Sequence, residues 1–346
     1  MKKVILRFKD NAKIHIGDEL YNYISSDKLY SMLINALSFV YDEKELNKKI
    51  IEINKKVLIS SSFLGIKVYK DESESNIEFL PKPYILIKKQ NITQEEEEKN
   101  ITKRKRYKNI SWISKNVYKS LSKNFNGEFI DYSFDNGYIV DEKYYLEKTE
   151  VDEEIARILQ DYAPFKTEFI QRNSINRYSK ESTDTYYEGY NVFCKKESNS
   201  IKIEPYFYFY IDDTDRILSE SDIKALEFMS IGGKRSLGAG VIESIEISDE
   251  QINLKGNIYI NLSMVYPKIE EVKHISNYSL ENRNGFIFSK SSTNIKKPTI
   301  RMIKEGSIFS NLISGDIYTH HVENINHNIY IYGKAFMIPF GGDINE

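Results

Sequence analysis

Residues 201–247 constrain the fold more than any other stretch of the chain. They open with IKIEPYFYFYI at 201–211, β-branched and aromatic as strands are. Ser219 and Asp222 have the spacing of a capping box. Behind them Ile223, Leu226 and Met229 recur every three residues, which gives a helix one apolar face. The run Gly232-Gly233-Lys234-Arg235-Ser236-Leu237-Gly238-Ala239-Gly240 follows, and residues 241–247 read as another strand. The order is therefore strand, helix, glycine-rich loop, strand, the signature of an α+β sheet whose connections lie over one face.

The first half repeats the theme. Residues 3–9 alternate as a strand, and a loop with His15 and Gly17 follows. Ser25, Ser26 and Asp27 supply N-cap residue types ahead of Leu29, Leu33, Ala36, Leu37 and Val40. A second helical pattern through Leu46, Ile50 and Ile53 runs to about Lys55. Residues 57–69 and 77–88 read as strands, the second put at an edge or ended by Pro81 and Pro83. Residues 90–108 segregate charge, Glu95 to Glu98 before Lys103 to Arg106, as a solvated loop does. Asp135-Asn136-Gly137 carries a hairpin signal. Residues 165–175 and 186–193 read as strands joined by NRYSKESTD, and further strands fall near 258–265, 285–288, 299–303 and 329–338. The expectation is two ferredoxin-like α+β units with antiparallel sheets, residues 1–155 and 156–346.

Charge restricts function. Lys plus Arg number 49 and Asp plus Glu 51, for a net charge of -2, so any grip on a polyanion has to be a local patch. The 346 residues suffice to bury a core without staples. The single Cys194 asks for no oxidising compartment. No apolar run approaches the ~20 residues of a membrane span, so the chain is expected to be cytoplasmic.

The glycine-rich loop admits backbone conformations closed to other residues, and such loops turn N–H groups toward an anion. It is neither a P-loop, whose glycine spacing and strand-to-helix order differ, nor a dinucleotide fingerprint, because Val241 to Glu243 bring no third glycine. A tight turn that needs glycine for geometry alone explains the spacing equally well. Lys234 and Arg235 between the glycine pairs favour polyanion contact. Catalytic and metal constellations are thin. His320, His321 and His327 lack acidic or Cys companions, and Gly341-Gly342-Asp343 is followed by Ile344. No cofactor is expected.

The glycine loop resembles that of the RAMP superfamily of CRISPR RNA-binding proteins. Ser26-Asp27-Lys28-Leu29-Tyr30-Ser31, Ser61-Ser62-Phe63 with Phe79-Leu80-Pro81-Lys82-Pro83, and Asn173-Ser174-Ile175-Asn176-Arg177 narrow the likeness. So do Pro298-Thr299-Ile300-Arg301-Met302 with Glu305-Gly306-Ser307, and Tyr332-Gly333-Lys334-Ala335-Phe336. In that order they resemble the Csm-four subunit of a type III-A CRISPR interference complex, except that Asn176 stands where an acidic residue is common. The resemblance implies two RAMP domains and a non-catalytic subunit holding the repeat-derived 5′ tag of crRNA. It also implies the large Cas-ten-type subunit and a backbone RAMP subunit as partners. The RNA-binding candidates are Gly232, Gly233, Lys234, Arg235, Ser236, Gly238 and Gly240, with Asn173, Asn176, Arg177, His15 and Ser26. The alternative is a RAMP-type endoribonuclease processing precursor crRNA with His15 as general acid/base.

Overall fold

The structure, a computed structural model, describes residues 1–15, 22–88, 106–198, 200–252, 254–286, 295–321 and 328–341. Strand β1 (Lys2–Arg7) is followed by the short β2 (Lys13–Ile14) and helices α1 (Ser26–Leu37) and α2 (Glu43–Lys56). After β3 (Phe63–Lys70) the chain runs to residue 200 before β10 (Ile201–Asp212), the five-residue α5 (Glu220–Lys224) and β11 (Ser244–Asp249). In space the order is β11-β1-β10-β3, with every neighbour antiparallel. Read in chain order as β1, helices, β3, β10, helix, β11, this is the split βαβ arrangement of a ferredoxin-like unit. Residues 71–200 are inserted between its second and third strands.

That insertion corrects the expected division at 155/156. β10, from the expected second half, is hydrogen-bonded between β1 and β3 of the first. The sheet continues from β3 through β4 (Ser73–Pro81), β5 (Trp112–Ser114), β7 (Tyr144–Glu147) and β6 (Gly137–Val140). β6 and β7 form a hairpin, but its turn is not Asp135-Asn136-Gly137. Phe134–Asn136 is a 3-10 turn ahead of β6, and Asp141 and Glu142 take the positive φ values between the strands.

The alternation in β10 shows why it sits centrally. Ile203, Phe207, Phe209 and Ile211 face the core beneath α1 and α2. Tyr206, Tyr208 and Tyr210 face a second core with Val117, Tyr118 and Leu121 of α3 (Lys115–Lys123). A strand covered on both sides is apolar on both sides. The expected capping box is present: Ser219 Oγ accepts from Asp222 N at 3.2 Å and Asp222 Oδ2 from Ser219 N at 2.8 Å.

The insertion also contributes α4 (Glu153–Gln160) and a long hairpin, β8 (Phe165–Ile175) with β9 (Ser182–Phe193). Beyond β11 come β12 (Gly256–Asn261), β13 (Leu280–Arg283), β14 (Ile300–Ile303), β15 (Ile308–Phe309), β16 (Gly315–His320), β17 (Ile329–Lys334) and β18 (Met337–Gly341). The pairs β13-β14 and β16-β17 are antiparallel, and β12 lies between β15 and β18. Among the described residues no helix is long and apolar enough to cross a membrane.

A buried polar seam ties these C-terminal strands to the N-terminal sheet. Glu305, 3% exposed, accepts from Ser61 Oγ and from Tyr23 OH, the latter at 3.2 Å. Ser61 Oγ accepts from Ser26 N at 2.9 Å, and Ser26 Oγ from Met264 N at 2.9 Å. Tyr332 stacks on Tyr30 at 5.1 Å while its hydroxyl accepts from Ile59 N at 2.8 Å. Lys334 Nζ donates to the carbonyls of Lys55 and Val57, both at 3.2 Å, at the C-terminal end of α2, where a cation opposes the helix dipole.

Candidate nucleic-acid interface

The loop at 232–240 turns through left-handed conformations: φ is 80° at Gly232, 57° at Lys234, 80° at Gly238 and 74° at Gly240. At two positions space also requires glycine. A Cβ on Gly232 would stand 2.0 Å from the His15 carbonyl oxygen, and one on Gly240 1.9 Å from that of Ile231. These close approaches follow from how the loop is anchored. Gly233 N donates to His15 O at 2.5 Å, Gly240 N to Lys13 O at 2.7 Å, and Ile231 N to Gly240 O at 2.8 Å. Leu237 N and Gly238 N close the 3-10 turn Arg235–Leu237 onto Lys234 O and Arg235 O. The amides of Gly233, Leu237, Gly238 and Gly240 are therefore already engaged. Less of the main chain is left to face an anion than the glycine count suggests.

Lys13 and His15 link the loop to the hairpin. β2 pairs with β9 through Ile14↔Asn191 and Lys13↔Val192. Ala239 packs against Tyr190 and Val192, with Ile170 alongside. The His15 ring lies edge-on to Tyr190 at 5.6 Å. Its Nδ1 is buried, with no hydrogen-bond partner among the described residues.

Across this contact lies a carboxylate. Glu188 is 6% exposed. Its Oε1 is 2.7 Å from Lys234 Nζ, and its Oε2 is 3.4 Å from Arg172 Nε and accepts from Tyr190 OH at 2.7 Å. The Lys234 hydrogen bond, then that of Tyr190, lower its pKa to about 2. Lys13 pairs with Glu168 at 2.8 Å on the same hairpin. Sequence reading missed Glu188, Tyr190 and Arg172. Glu188 and Tyr190 are two apart and share a strand face. Only the register, with Ile170 opposite Glu188 and Arg172 opposite Tyr186, brings the arginine diagonally onto the acid.

The other expected contacts lie elsewhere. Asn176 and Arg177 are at the exposed far end of the hairpin, on the order of 20 Å from Glu188 at the usual strand rise, and Asn173, three residues along from Ile170 opposite Glu188, is about 10 Å away. Asn176 builds the turn: its Oδ1 accepts from Tyr178 N at 2.9 Å and its carbonyl from Lys180 N at 2.8 Å. Asn173 Oδ1 accepts from Thr185 Oγ1 at 3.1 Å. Arg177 stands exposed at the tip beside Tyr178, which is 98% exposed. The expectation for Ser26 is corrected. It is 0% exposed, and its hydroxyl is committed to Met264 in the seam, so it offers nothing to an RNA at the surface. Gly17, His327, Gly342, Asp343, Glu95 to Glu98 and Lys103 to Lys105 lie outside the described residues.

The comparisons with known proteins agree along the chain. Residues 254–340 match the CRISPR Csm4 C-terminal domain. The chain is 28% identical over 400 aligned positions to the CRISPR system protein Csm4 of Methanocaldococcus jannaschii, covering 98% of each. It superposes on a chain of the Csm3-Csm4 subcomplex of a type III-A CRISPR-Cas interference complex with a TM-score of 0.63 and 22% identity, covering 98% of this chain and 99% of that one. A chain of a Csm1-Csm4 cassette bound to pppApA gives 0.53 at 16% identity, covering 98% of both. These structural likenesses bear on the fold alone.

Proposed function

We propose that the chain is a Csm4-family protein and a non-catalytic, RNA-binding subunit of a type III-A CRISPR effector complex, a reading supported by the match at residues 254–340 and by the 28% identity along the chain. It holds the repeat-derived 5′ tag of crRNA in the cytoplasm, between a large Cas-ten-type subunit and a backbone RAMP subunit. The relatives are described in complexes with Csm3 and with Csm1, which supports those neighbours. The observation that carries the reading is the joint between glycine loop and hairpin. Lys234 and Arg235 are set on a loop whose backbone is anchored through residues 13–15 to the base of an exposed arm that ends in Arg177. With a net charge of -2, any grip on RNA has to be a local cationic patch of this kind.

Changing Lys234 and Arg235 together to Ala should weaken binding of a labelled 5′-tag RNA by about 1–3 kcal/mol if both touch phosphates. It should also flatten the dependence of log K on log salt by ~0.7 for each phosphate of the single strand that is no longer neutralised. Unchanged affinity and slope would return the loop to a purely geometric role. The ribonuclease alternative requires His15 to work as general acid/base. The isolated protein should leave a labelled repeat RNA uncut. A discrete product band that disappears in His15→Ala would replace this proposal with the enzymatic one.

A further inference from the structure

We infer that Glu188 is a positioning residue that holds Lys234 and Arg172 in one fixed arrangement, so that their remaining donors meet the RNA backbone together. The inference rests on the RNA-binding reading above. Lys234 and Arg172 approach different oxygens of one buried carboxylate, yet their side chains stay 39% and 41% exposed. A lysine has three donors and an arginine five, so each keeps donors for a second anion. Tyr190 holds Glu188 from a third side. The backbone at Lys234 is fixed in the left-handed region at φ 57°.

Long cationic side chains lose rotamer freedom when they bind, and fixing them beforehand removes that loss from the binding step. A carboxylate meant to be displaced by phosphate would be exposed and loosely held. Glu188 is neither. Its ion pair with Lys234 also joins hairpin to loop, so the two present one surface.

Glu188→Gln adds one positive charge to the site, so electrostatics alone would tighten RNA binding and steepen its salt dependence. Positioning requires the opposite sign. The test titrates the full chain against a short fluorescein-labelled single-stranded RNA of the repeat 5′-tag sequence at several salt concentrations. Glu188→Gln should weaken binding roughly five- to tenfold through loss of preorganisation and flatten the salt slope by ~0.7. Tyr190→Phe, which alters no charge, should weaken binding in the same direction by a smaller factor. Lys234→Ala should cost less in the Glu188→Gln background than in the parent, because the two side chains act as a unit.

Equal or tighter binding by Glu188→Gln overturns the inference. If that variant fails to fold, unchanged affinity in Tyr190→Phe overturns it instead. The two levels separate cleanly. If Lys234→Ala alone leaves RNA binding unchanged, the RNA-contact reading falls; if it weakens binding while Glu188→Gln does not, only the positioning role falls.

Discussion

Arg283→Met should lower the unfolding free energy by about 3–5 kcal/mol, the usual cost of breaking a buried ion pair from one side. Arg283 is 6% exposed and joins the C-terminal strands to the start of α1. Its Nη2 donates to both oxygens of Asp27 at 3.0 Å and to Ser25 Oγ at 2.7 Å, and its Nη1 donates to Glu281 at 3.0 Å. Methionine fills much of the space but leaves the mostly buried Asp27 without its direct counter-charge. Glu281 keeps Lys304 at 3.2 Å, so most of the loss falls on Asp27. Against a typical total of about 5–15 kcal/mol, the urea midpoint should move far enough to be unmistakable. A shift under ~1 kcal/mol, the range of an exposed pair, would show that the seam does not hold the two parts together.

The same change should invert the acid response. Burial pushes the Asp27 carboxyl up, but Arg283 together with the Ser25 hydrogen bond and the nearby Lys28 and Lys297 outweighs it, and the pKa ends below the ordinary carboxylate value. A lowered pKa contributes stability that is fully present above the unfolded value, about 3.9, and is lost as pH falls through the folded one. Without Arg283 only burial and weaker neighbours remain. The variant's deficit should then shrink as pH falls through the carboxylate range, where the parent begins to lose stability.

The second large effect is expected at Gly240. Alanine there meets both a left-handed backbone, φ 74°, and the Ile231 carbonyl oxygen at 1.9 Å. Backbone strain alone costs about 1–3 kcal/mol, and a backbone oxygen cannot rotate aside as a side chain can. The Gly240 N to Lys13 O and Ile231 N to Gly240 O hydrogen bonds that anchor the loop should both break. Gly238→Ala is the control. Its φ is 80°, but a Cβ there meets nothing within 4 Å, so it should carry only the left-handed cost of about 1–2 kcal/mol. In denaturation and RNA titration, Gly240→Ala should be the worse variant by a wide margin. The reverse order would mean the loop is not anchored as described.

What was legible in the sequence was mostly local. The two-faced strand at β10, the capping box at Ser219 and Asp222, and the glycine loop between helix and strand were set by short-range pattern and stand in the fold. The division of the chain was not legible, because β10 enters the first sheet only after residues 71–200 have passed, and no periodicity records which strand a later one will pair with. Asp135-Asn136-Gly137 misled because tertiary packing placed the positive φ values at Asp141 and Glu142, which carry no glycine.

Ser26 looked like an available cap; only the return of Met264 across the sheet buries it. The motif blocks around Ser26, Ser61, Glu305 and Tyr332 are far apart in sequence and meet in one polar seam. Their shared chemistry is that of joining two parts of the fold, whereas the residues proposed to face RNA collect at 13–15, 172, 188–190 and 232–240. That second set was half visible: the glycines, Lys234 and Arg235 could be read, while the approach of Arg172 to Glu188 needed the hairpin register.

The most direct measurement is a cryo-electron microscopy structure of the effector particle isolated from the native host with its guide RNA. Lys234 Nζ or the 232–240 main chain should lie within about 3 Å, hydrogen-bond distance, of phosphate oxygens near the guide's 5′ end, with the hairpin running alongside. A guide that passes elsewhere, with the loop covered by a neighbouring protein, would contradict the assignment.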